Sequence, residues 1–153
     1  MLDKEKLQLL EKRKEQFHNI HHQRVEILVE FLIDLGFEKS STVMFNAAAF
    51  LYPLSDWMKT QTVSLENRNK VMLRFAYFIG EYLLQHYRGD WYINELIQSK
   101  NFAKVVVGKF DGFRVGVSID PFAVAEEYVD ATPGRDLAVL LQTICKEMEQ
   151  YRV

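Results

Sequence analysis

The amino-acid pattern predicts an α+β fold. It is one mostly helical domain with a small antiparallel sheet built on one hairpin (103–119), packed on a central buried helix (65–88). Three observations predict it. Residues 65–88 are apolar around most of a helical circumference. Residues 104–110 and 113–119 read as strands flanking Asp111-Gly112, a strong two-residue turn signal. Helical spacing governs the chain before and after that hairpin.

The central helix is bounded by local signals. Ser64 is a good N-cap, because its hydroxyl can accept from an unpaired backbone amide. Arg88 and Gly89 predict its end, a cation in the last turn and then a residue free to adopt the left-handed cap. At about 100° per residue, Met72, Phe75, Ala76, Ile79 and Leu83 fall on one line, flanked by further apolar side chains. Lys70, Arg74, Glu81, Gln85 and Arg88 form a narrow polar stripe. Gly80 costs about 1 kcal/mol relative to Ala in a helix interior, so it predicts a close crossing. Ala47, Ala48 and Ala49 are the expected seat for it.

Length and composition bound the class. The 153 residues, 48% hydrophobic and 26% charged, fit a single domain over 1–153 that can bury a real core. A net charge of −2 argues against a general nucleic-acid binder. No apolar run is long enough to span a membrane, so neither nucleic acid nor membrane is an expected partner. Cys145 is the only cysteine, which rules out an internal disulfide, and the first residues lack an apolar signal core. Together these predict a cytoplasmic protein.

In chain order, residues 1–19 read as a charged, solvated N-terminal helix prone to fray. Helical spacing from Ile20 to Leu35 then stops at Gly36, and one helix or two over 3–35 is left open. Ser40-Ser41-Thr42 caps an apolar helix over 43–51, which Pro53 is expected to end. Trp91 to Ile93 has strand propensity. In a two-residue hairpin, Phe110 pairs with Phe113, Gly108 with Val115 and Val106 with Val117, and that face meets the helices. Asp120-Pro121 starts one helix and Thr132-Pro133 another.

Candidate sites follow from residue chemistry. His18 and His22 share a helix face that Glu26 continues, and with His86 they could hold a transition metal. The competing reading is a solvated, titratable face, and no metal or other cofactor is assigned. Glu81 could serve as a general base or bind a partner, against pairing with a nearby cation. Cys145 reads as an inert buried thiol. The hairpin face with Val105, Val107, Lys109 and Arg114 joins an apolar centre to cationic side chains, as interfaces do.

The run Gly80-Glu81-Tyr82-Leu83, then Gly89-Asp90-Trp91, then a hairpin closing on Asp120-Pro121-Phe122 resembles a layout of small uncharacterised bacterial domains. Some of these accompany polymorphic toxins in the manner of immunity proteins. The resemblance covers the second half of the chain and implies a bacterial, cytosolic protein without naming an activity. The expected function is a non-enzymatic binding protein with a protein partner or a second copy of itself. The alternatives are a metal-dependent enzyme using His18 and His22, and a small-ligand binder with a pocket between hairpin and central helix.

Overall fold

The structure, a computed structural model, describes residues 3–131 and 135–153. The α+β class and the mostly helical make-up hold. The first helix, α1 (Lys4–Asp34), is continuous, with no glycine or proline near Asn19 to break it. The Asp3 carboxylate caps it, accepting from the Lys6 amide at 2.8 Å. Its C-terminal half supplies Leu28, Phe31 and Leu32 to the core, and its first turns are largely solvated.

A 3-10 turn over Ser40–Met44 leads to α2 (Ala48–Lys59). This corrects the expected helix over 43–51. Pro53 lies inside α2 instead of ending it. Pro53 and the preceding-turn Ala49 are both exposed, so water can serve the carbonyl that proline's missing N–H leaves free.

The central helix, α3 (Arg68–Tyr87), begins a turn later than Ser64 suggested. Ser64 Oγ accepts from the Asn67 amide at 3.2 Å and so closes a preceding turn, which leaves Leu65 in solvent. Arg88 takes the left-handed cap at φ 54°, the role expected of Gly89. Phe75, Ala76, Phe78, Ile79 and Leu83 are fully buried, which confirms α3 as the core helix. Phe31 and Tyr128 meet Phe75 edge-on, at centroid distances of 5.4 and 5.1 Å.

The middle of the polar stripe, from Arg74 to Gln85, is covered by other elements, while Lys70 and Arg88 are exposed. Gln85 donates to the Val43 carbonyl at 2.8 Å and accepts from the Ala47 amide at 2.7 Å, which holds the entry to α2. Arg74 lies 5.1 Å from the Phe31 ring centroid and 3.6 Å from Asp34. These residues satisfy neighbouring backbone and charge where α3 would otherwise face water.

The sheet is antiparallel, in the order β1 (Asp90–Ile93), β2 (Val105–Gly108), β3 (Ser118–Ile119). β1 pairs along its whole length with β2, Trp91 opposite Val107 and Ile93 opposite Val105. The β2–β3 register differs from expectation: Gly108 faces Ser118, not Val115, and Val107 faces Ile119. Lys109 turns the chain at φ 55°, and Phe110 and Phe113 both enter an aromatic cluster around Tyr87. The Asp111-Gly112 turn itself forms, the Phe113 amide donating to the Phe110 carbonyl at 3.3 Å, but the strands do not run on from it and the loop 109–117 separates β2 from β3. Gly112 does adopt a positive φ, 78°. The C-terminal segment then ties this loop down, since Val153 donates to the Gly112 carbonyl and Arg114 to that of Tyr151.

Asp120 caps α4 (Pro121–Asp130) as expected, its carboxylate accepting from the amides of Phe122 and Ala123. α4 packs along α3 and buries Ala125, Tyr128 and Val129. The proposed Thr132-Pro133 start lies outside the described residues. Asp136 caps α5 (Leu137–Met148), accepting from the Val139 amide at 3.1 Å. A 3-10 turn over Glu149–Tyr151 follows. Among the described residues no helix is long and apolar enough to cross a membrane.

Candidate functional site

Glu81 sits on the stripe of α3 that meets α1, and it is 1% exposed. Arg24 of α1, not Arg74 or Arg88, supplies its cation: Nε donates to Glu81 Oε1 at 2.7 Å. Trp91 of β1 donates its indole N–H to the same oxygen at 3.1 Å. One carboxylate thereby joins α1, α3 and β1. Gly80 makes room for that indole, because a Cβ there would overlap the Trp91 ring. The close crossing expected at Gly80 exists, but its partner is Trp91 and not Ala47 to Ala49. His21 lies beside the group. Burial, and then the Arg24 guanidinium, hold its ring below the usual imidazole range. A carboxylate held by two donors in a packed crossing fits a structural tie better than a general base.

The histidine set is not assembled. His18, His22 and Glu26 are exposed on α1, and the described residues contain no group of three or more His, Cys, Asp or Glu that could hold a metal ion. His86, the further candidate ligand, is exposed at the end of α3. Its ring stacks on Tyr82 at 5.9 Å and meets Tyr87 edge-on at 4.5 Å. Cys145 is partly buried, and burial pushes its thiol up, away from the thiolate form.

The hairpin face also needs correction. Val105 and Val107 are buried in the core beside Trp91, whereas Lys109 and Arg114 are exposed. β2 is buried along its whole length, Val106 included, so the valines cannot form the centre of an exposed patch. Lys109 instead lies over the Tyr92 ring, 4.5 Å from its centroid. Arg114 is engaged through its backbone with the C-terminal turn.

An open groove of about 670 Å³ lies elsewhere, between β3, α4 and the end of α5 with its 3-10 turn. Its helical walls are α4 and α5, so it is not the pocket expected between hairpin and central helix. Val117, Ser118, Ile119 and Asp120 line it in succession. β3 is an outer strand of the sheet, with β2 on one side only. Antiparallel pairing alternates the direction of backbone groups, so one of Ser118 and Ile119 aims its N–H and C=O away from β2. Val124, Ile144 and Met148 add apolar wall. Lys100, Lys104, Glu127 and Glu147 place both signs of charge around it. Asn101 holds the loop against the strand, donating to Ser118 Oγ at 3.3 Å.

Sequence reasoning missed this groove. Its walls come from residues 100–104, 117–127 and 144–151, and no local pattern joins them. No protein-family model matches the chain, and neither a curated protein nor a solved structure does.

Proposed function

We propose that this chain is a non-enzymatic binding protein that takes a polypeptide partner in the groove between β3, α4 and the end of α5. The observation that carries the reading is that β3, an outer strand of the sheet, lines an open, partly apolar groove. An extended peptide can add to such an edge, with main-chain hydrogen bonds supplying affinity and the neighbouring pockets supplying selectivity. The commitment of Glu81 to Arg24 and Trp91 favours binding over catalysis. A bacterial cytosolic protein that neutralises a partner, as immunity proteins do, is the finer form of this proposal.

Isotope-labelled protein titrated with pools of blocked, side-chain-randomised hexapeptides tests the reading. Amide resonances of residues 117–127 and 144–151 are expected to shift together. Shifts confined to the 109–116 loop or to α1, or no shifts at all, would overturn it.

A further inference from the structure

The charges around the groove define what kind of segment it fits. Lys104 stands at the start of α4, with Nζ 3.8 Å from Asp120 Oδ2, and Lys100 lines the same loop. Glu127 lies seven residues along α4 from Asp120, which is about 10 Å at 1.5 Å per residue. Glu147 approaches from α5. Among the described residues, Lys100, Glu127 and Glu147 have no ion-pair partner. Val124, Ile144 and Met148 supply apolar wall between α4 and α5.

Resting on the binding reading above, we infer that the partner presents an extended segment with an acidic, an apolar and a basic side chain at alternate positions. The acidic group meets Lys100 and Lys104, the basic group meets Glu127 and Glu147, and the apolar group covers the wall. Side chains at i, i+2 and i+4 of a strand share one face, and the outer two lie roughly 13 Å apart. The reach of the lysine and glutamate side chains takes up the difference from the spacing along α4. Asp120 does not compete for the basic group, because its carboxylate already caps α4 and neighbours Lys104. The open shape of the groove suits a segment passing through it, so the source is an internal stretch of a partner protein and not a free small peptide.

Blocked heptapeptides separate the possibilities. One carries Glu, Val and Lys at alternate positions among Thr and Ser. A second has the order of Glu and Lys reversed, to cover the other strand direction. A third has Thr at both charged sites, and a fourth is the free, unblocked pentapeptide Glu-Thr-Val-Thr-Lys. One of the two charged orders is expected to bind about tenfold more tightly than the neutral peptide, as hydrogen bonds to charged groups allow. That advantage should disappear in the Glu127→Lys, Glu147→Lys double variant, whose melting curve controls for folding. Equal binding by the neutral peptide would overturn the charge assignment while leaving the groove as the binding site. Tighter binding by the free pentapeptide would overturn the protein source. If neither the randomised pools nor any defined peptide binds, the groove reading itself fails.

Discussion

Gly80→Ala is expected to destabilise the protein by about 2–4 kcal/mol. The added Cβ overlaps the Trp91 ring, and overpacking of this kind costs about 1–3 kcal/mol. The indole cannot move without losing its hydrogen bond to Glu81, a bond to a charged group worth about 1.5–3 kcal/mol. The better helix propensity of alanine returns about 1 kcal/mol. The sign is therefore diagnostic. Denaturant titration followed by tryptophan fluorescence should show a lowered midpoint. A stabilised variant would mean that Gly80 occupies an open helix position and that the α3–β1 crossing is misdescribed.

Arg24→Met should cost about 3 kcal/mol, the lower end of what breaking a buried ion pair costs. The Glu81 carboxylate would keep only the Trp91 donor while remaining enclosed between α1, α3 and β1. Arg24 is itself partly exposed, which moderates the loss. Adding Glu81→Gln removes the uncompensated charge, so the double variant should be more stable than Arg24→Met alone. Losses that simply add would show that the two side chains are not coupled.

The elements legible in the sequence were those set by their own neighbours. Asp120-Pro121 caps α4 because a carboxylate, two amides and a fixed φ all lie within four residues. The apolar circumference of α3 likewise foretold its burial. Glu81 was harder, because helical periodicity describes one helix and its partner Arg24 is 57 residues away. The β2 register failed for a similar reason. The Asp111-Gly112 turn closes as expected, but Phe110 and Phe113 pack on Tyr87 instead of extending the strands, and the main partner of β2 is β1. β2 is covered on both faces, so Val105 and Val107 lie in the core and not at the expected interface. The groove depends on three distant segments and carried no local signal.

Filling the groove tests the binding proposal most directly. Ala123 is exposed on α4 and lines the groove, so Ala123→Trp occupies that space without entering the core. Its amide can still donate to Asp120 and keep the cap. In the titration with randomised hexapeptide pools, the variant should melt like the parent and lose the shifts at residues 117–127 and 144–151. A variant that folds normally and still shows those shifts would contradict the claim that the partner sits between β3, α4 and α5.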